Sequence, residues 1–194
     1  HNKNLKFSSP NAFFAEKKEI IDISYPGDIV GLHDTGNFKI GDTLTEGANF
    51  QFKGIPSFSP ELFRYVNNTD PMKTKQLQKG LEQLTDEGVA QLFTRKVDGR
   101  KIIGTVGALQ FEVIQHRLKA EYNASATFDQ INLYKALWIS CSDKKKLDNF
   151  MQDRNAHIAL DKEGRPVFLA ESAWLLQMAQ EKFPEIEFHV KSEF

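Results

Sequence analysis

The sequence predicts an α+β chain: a partial antiparallel β-barrel, followed by an α/β sandwich of two consecutive split β-α-β (βαββαβ) units. Three observations carry this expectation. The first ~55 residues hold short apolar runs between closely spaced turn signals, with no helical periodicity. From Asn49 onward, long amphipathic stretches alternate with strand-like runs. The order of those elements is β-α-β-β-α-β, and the last third repeats it.

In the first region, Ile20, Ile21 and Ile23 lead into a turn at Pro26-Gly27-Asp28, and Ile29-Val30-Gly31-Leu32 follows it. Further turns at Asp34-Thr35-Gly36-Asn37, Gly41-Asp42 and Glu46-Gly47 flank Phe38 and Ile40. So few strands cannot close a barrel alone. The next unit opens with Phe50-Gln51-Phe52-Lys53-Gly54-Ile55, which alternates like a strand. Asp70 is placed to cap a helix with Pro71 at its first position and Gly88 past its end, presenting Leu77, Leu81 and Leu84 on one face. Val89 to Arg95 and Lys101 to Val106 read as strands joined at Asp98-Gly99. A second helix is expected over Leu109–Tyr122, with Phe111, Ile114 and Leu118 inward, and Ala124 to Asn132 returns as a strand.

The repeat begins with a strand over Tyr134–Cys141, then a helix capped by Ser142 or Asp143 and carrying Leu147, Phe150 and Met151. Ile158-Ala159-Leu160 and Val167-Phe168-Leu169 flank a turn, Ala173 to Phe183 is a helix stopped by Pro184, and Ile186 to Val190 closes the set. The domains expected are therefore 1–55 and 56–194, the latter with sub-units of about 56–132 and 133–194, and the linker near Ile55–Pro60.

Composition narrows the function classes. The chain has 194 residues, 40% hydrophobic and 26% charged, which suits packed cores and argues against disorder. Sixteen phenylalanines imply aromatic packing. A net charge of -1 gives nucleic-acid binding no global support, so any such contact must be local. Only the middle stretch, residues 56–128, is net positive, with 10 Lys+Arg against 8 Asp+Glu. One cysteine, Cys141, excludes an internal disulfide and reads as a small core residue. No apolar stretch reaches the ~20 residues a membrane span needs. The start, His1-Asn2-Lys3-Asn4, is not a signal peptide and lacks methionine, so a piece of a longer protein is expected.

Catalytic constellations are missing from the sequence. No phosphate-cradling glycine loop, zinc-protease pair or paired-cysteine spacing occurs. The histidines (His1, His33, His116, His157, His189) fall on different elements, and Ser142 and Ser172 sit where helix capping explains them. Three cationic groups are candidates for binding: Lys73, Lys75 and Lys79 on the first helix; Arg95, Lys96, Arg100 and Lys101 around a hairpin turn; and Lys144, Lys145 and Lys146 in the first turn of the third helix. The last group opposes the helix dipole, a modest cost that phosphate binding would offset.

These local signals meet a known family. Tyr25-Pro26-Gly27-Asp28-Ile29-Val30-Gly31-Leu32 with Ile40-Gly41-Asp42-Thr43-Leu44 resembles the end of the β-barrel second domain of translational GTPases. Gly54-Ile55-Pro56-Ser57-Phe58-Ser59-Pro60-Glu61-Leu62-Phe63-Arg64 and Asp70-Pro71-Met72-Lys73-Thr74-Lys75-Gln76-Leu77 resemble the start of the third domain of GTPase-type peptide chain release factors (release factor three). Val106-Gly107-Ala108-Leu109-Gln110-Phe111-Glu112-Val113 is the most discriminating stretch, extended by Leu118 to Asn123. Elongation factor G has Glu, His and Leu where this chain has Ala108, Gln110 and Phe111, the release-factor variant.

The resemblance implies a cytoplasmic translation termination factor whose intact form uses GTP and Mg to recycle class I release factors from the ribosome. This chain would be its ribosome-docking region, meeting small-subunit RNA and protein and its own G domain, with no membrane partner. No GTP-binding position of the family maps onto these residues, so no cofactor and no enzymatic activity is expected of this stretch. Two other readings stand beside it: an elongation-factor-G-like or ribosome-protection GTPase, and a stand-alone α/β enzyme built around His116 or His157 beside a carboxylate.

Overall fold

The computed structural model describes residues 10–14, 17–33, 41–48, 50, 52 and 59–192. The chain divides into two compact units, residues 1–42 and 43–194. The expected linker at 55–60 falls mostly outside the described residues, as do Phe38 and Ile40.

The first unit holds a three-stranded antiparallel sheet. Strand β1 (Asn11–Phe14) pairs with β2 (Lys17–Ile20) on one side and β3 (Val30–Gly31) on the other. The turn before β3 forms as its residues predict. The Tyr25 N–H donates to the Asp28 carboxylate at 2.7 Å, and Gly27 sits at φ 101, a conformation that favours glycine.

In the second unit the first described strand of the split β-α-β unit is β4 (Leu62–Asn68). The strand expected over Phe50–Ile55 lies mostly outside the described residues; its described Phe50 and Phe52 are exposed. Strand β4 was hidden because its two faces are both occupied. Phe63 and Tyr65 face one core, while Val66 faces another, with the Arg64 guanidinium 4.3 Å over the Phe111 ring on that side. Asp70 caps as expected, accepting from Met72 N–H at 3.0 Å, but the turn it starts is a short 3-10 piece (Pro71–Lys73) ahead of helix α1 (Thr74–Asp86). Then follow β5 (Gln91–Arg95), β6 (Lys101–Thr105), α2 (Leu109–Tyr122) and β7 (Ala126–Gln130). Helix α2 ends at Asn123, whose left-handed φ of 50 lets its N–H reach the Leu118 carbonyl.

The repeat is β8 (Lys135–Ser140), α3 (Lys144–Asp153), β9 (Ile158–Asp161), β10 (Pro166–Ala170), α4 (Ala173–Lys182) and β11 (Glu187–His189). Asp143 and Ser172 are the respective helix N-caps.

All eight strands join one antiparallel sheet in the order β11-β8-β10-β9-β5-β6-β4-β7. Each half is a complete split unit, and the two fuse edge to edge where β5 meets β9, with Arg95 opposite Ala159. The four helices cover one face. Leucines and isoleucines from α1 and α2 pack over the first half, and phenylalanines from α3 and its neighbours over the second. The helix-free face is buried as well, which a flat sheet cannot explain. Trp138 on β8 and Phe93 on β5 have ring centroids 6.3 Å apart, yet their strands are three positions apart in the sheet, roughly 14 Å when flat. The sheet therefore curls.

Ser59, just ahead of β4, closes the curl by donating its N–H to the Val190 carbonyl at 2.9 Å and accepting from Ala136 N–H at 3.2 Å. The connection Ile131–Tyr134 crosses the enclosed face, and Ile131 and Leu133 pack onto it. Gly104 allows Pro60 to lie against the same face, since a Cβ there would stand 2.5 Å from Pro60 Cγ.

Candidate functional site

The strand register decides which predicted cations can act together. Strand β4 runs antiparallel to β6, with Tyr65 opposite Ile102, so the end of β4 and the start of α1 lie at the same sheet end as the β5–β6 turn. Lys73, Lys75 and the hairpin cations are thereby gathered at one end. Lys79 lies further along α1. The same pairing logic puts Lys144, Lys145 and Lys146 elsewhere. Strand β8 starts at the hairpin end, where Lys135 pairs with Ala170, and delivers α3 from the opposite end.

Within the gathered end the cations differ in freedom. Arg95 is turned inward: it donates to the Tyr65 hydroxyl at 2.8 Å and the Ala156 carbonyl at 3.2 Å, and pairs with Asp98 at 3.2 Å. Arg100 lies 3.6 Å over the Tyr65 ring yet remains exposed, so its charge faces solvent. Lys101 donates to the Thr94 hydroxyl, and Lys73 to the Asn123 side chain. Lys75, Lys79 and Lys96 are exposed and carry no ion pair among the described residues. The hairpin turn is locally tied: Gly99 sits at φ 71, and the Asp98 side chain accepts from Arg100 N–H.

Beside this end, between the two halves of the curled sheet, opens a cavity of about 180 Å³. Ile102, Ile131, Leu133 and Leu169 give it apolar walls, while Tyr65, Arg95, Asn132, His157 and Glu171 ring its mouth. The sequence could not have pointed to it, because its residues come from six separate segments. His157 does stand beside a carboxylate here, Nδ1 to Glu171 Oε1 at 3.7 Å. The lining holds no Ser, Thr, Cys or Lys; its polar groups are Tyr65, Arg95, Asn132, His157 and Glu171. His116, the other candidate, is exposed on α2. Cys141 packs at the margin of the second helix-side core.

Two further residues have structural roles. The Gln110 side-chain oxygen accepts from the N–H groups of Val106 and Gly107, at 2.9 and 3.1 Å, capping the turn into α2. Arg117 clamps the two helices of the first half, meeting Glu87 at 2.5 Å and Glu121 at 2.6 Å. The Glu121 carboxyl is held below its usual range, first by the hydrogen bond from Arg117. Among the described residues no helix is long and apolar enough to cross a membrane.

Comparison with known families fits this architecture. The family profile described as elongation factor G domain 2 matches residues 1–47, the region of the small antiparallel sheet. A second profile, class II release factor RF3, C-terminal domain, matches residues 52–180, more than half of the chain and nearly all of the curled sheet with its four helices. The likeness to elongation factor G is thus found in the first region, while the larger body carries the release-factor signature. The chain belongs to the class II release factor RF3 family of translation factors, represented here by its C-terminal domain and the elongation-factor-type domain before it.

Proposed function

We propose that this region docks the factor on ribosomal RNA through the hairpin end of the curled sheet. In this reading the intact factor uses GTP to recycle class I release factors in the cytoplasm. The observation that carries it is the register that gathers Lys73, Lys75, Lys96, Arg100 and Lys101 at one end in a chain with net charge -1. Local concentration of cations in a neutral protein is what backbone docking requires. In the same reading nucleotide chemistry belongs to the G domain of the intact factor, to which this region is an attached arm. This region contributes position: a rigid body whose contacts change when the whole factor reorients.

The test is sedimentation of the chain with bacterial ribosomes across a salt series. Lys96→Glu with Arg100→Glu should weaken association strongly and reduce the magnitude of the log-log salt slope by about 0.7–0.9 for each phosphate no longer neutralised. Lys144→Glu with Lys145→Glu should leave it near the wild-type value. No association at low salt, or equal effects of the two pairs, would sink the reading.

A further inference from the structure

We propose that the cavity at the hairpin end receives one unpaired nucleobase, an adenine or cytosine, from the RNA on which the cations dock. This rests on the docking reading and deepens it by assigning the base contact. Size sets the first limit. About 180 Å³ is room for one planar ring system, well below the roughly 300–1,000 Å³ of pockets that hold drug-sized ligands or whole cofactors.

The walls set the second limit. Ile131 and Leu133, both half-buried, present apolar surface to a ring, and unstacked bases need such surface to offset leaving the stack. The mouth supplies hydrogen bonding of matched sense. The Glu171 carboxylate can only accept, which suits an exocyclic amino group. The Asn132 amide, exposed and with no hydrogen-bond partner among the described residues, can donate to the adjacent ring nitrogen. Adenine and cytosine present that pair of groups on one edge.

Position sets the third. Tyr65 lines the cavity and carries Arg100 on its ring, so an exposed cation and the cavity wall share one side chain. An RNA strand neutralised at Arg100 and Lys96 has its bases within reach of the opening. A protein side chain of comparable size would fit the walls but would not use the cations around it.

Dimethyl sulfate probing of ribosomes with and without the chain reads the outcome, because the reagent modifies the pairing edges of adenine and cytosine. Hydroxyl-radical cleavage on the same samples reports backbone docking separately. The wild-type chain should protect a single adenine or cytosine. Asn132→Trp, which fills the mouth from an exposed position, should abolish that protection while backbone protection persists. Asn132→Ala, at an exposed position with no fold to lose, should weaken it by about three- to tenfold, the loss expected for one hydrogen bond.

If backbone protection occurs with no base protection, or if base protection survives both substitutions, the assignment is overturned. A cross-link from the cavity to a ribosomal protein in place of RNA would overturn it too. Absence of all protection would remove the docking reading and this one together.

Discussion

The two halves of the curled sheet share a topology and differ in how they are packed. The first half is mainly aliphatic on its helix side, with Leu77, Leu81, Leu84, Ile103, Ile114 and Leu118 around a single aromatic pair, Phe111 and Phe128, and its helices approach closely. Gly80 permits this, since a Cβ there would stand 2.7 Å from Leu118 and 2.9 Å from the Tyr122 ring. The second half is aromatic: the Phe150 ring meets Phe168, Phe183 and Phe188 within 6 Å, two of them edge-on. Charge divides the same way, residues 56–128 being net positive and 129–194 carrying 9 Lys+Arg against 11 Asp+Glu. One topology thus tolerates two core chemistries, and the half with the tight helix pair is also the half that displays the cations.

The comparison breaks most completely at the core the halves share. Phe93→Ala should cost about 3–5 kcal/mol, the usual loss for a buried aromatic. Because Phe93 touches both Phe63 and Trp138, urea unfolding followed by circular dichroism and by tryptophan fluorescence should remain one coincident transition. Two separated transitions would mean the halves fold independently.

A smaller effect sharpens the packing difference. In an open helix Gly80→Ala would gain about 0.5–1 kcal/mol from propensity. Here the added methyl meets the buried Leu118 and Tyr122, and overpacking of about 1–3 kcal/mol should win. A midpoint shift upward in urea would show that the helix pair can relax.

The smallest effect concerns the surface clamp. The folded Glu121 carboxyl titrates below its unfolded range because Arg117 bonds its charged form. Its stabilisation is therefore present above the unfolded pKa and lost as pH falls through the lower, folded one. Thermal melting should drop across that acidic window, and Arg117→Gln should flatten the drop. An unchanged acid limb would show that the clamp contributes nothing, as many exposed pairs do.

Much of this fold was legible locally. Helix α2 has the bounds its periodicity predicts, and the Asp98-Gly99 turn forms where the residues require it. Strand β4 was not legible, because Arg64 and Tyr65 occupy opposite faces that are both covered, so the alternation of polar and apolar residues fails. The curl was also hidden, since it depends on β5 meeting β9, a pairing between segments over 60 residues apart that no local pattern encodes. The site was half legible. Lys96 and Arg100 could be read off the hairpin, but the inward turn of Arg95 toward Tyr65 and the cavity depend on tertiary packing.

The connection Ile131–Tyr134 joins the halves from the inside, where a hinge would have to lie, and its anchoring isoleucine and leucine are wedged between them. Bending at the β5–β9 seam would tear that wedge out into water. Force arriving at either half therefore meets the other through that wedge. Any swing this body makes on a partner is a swing of the whole sheet at once.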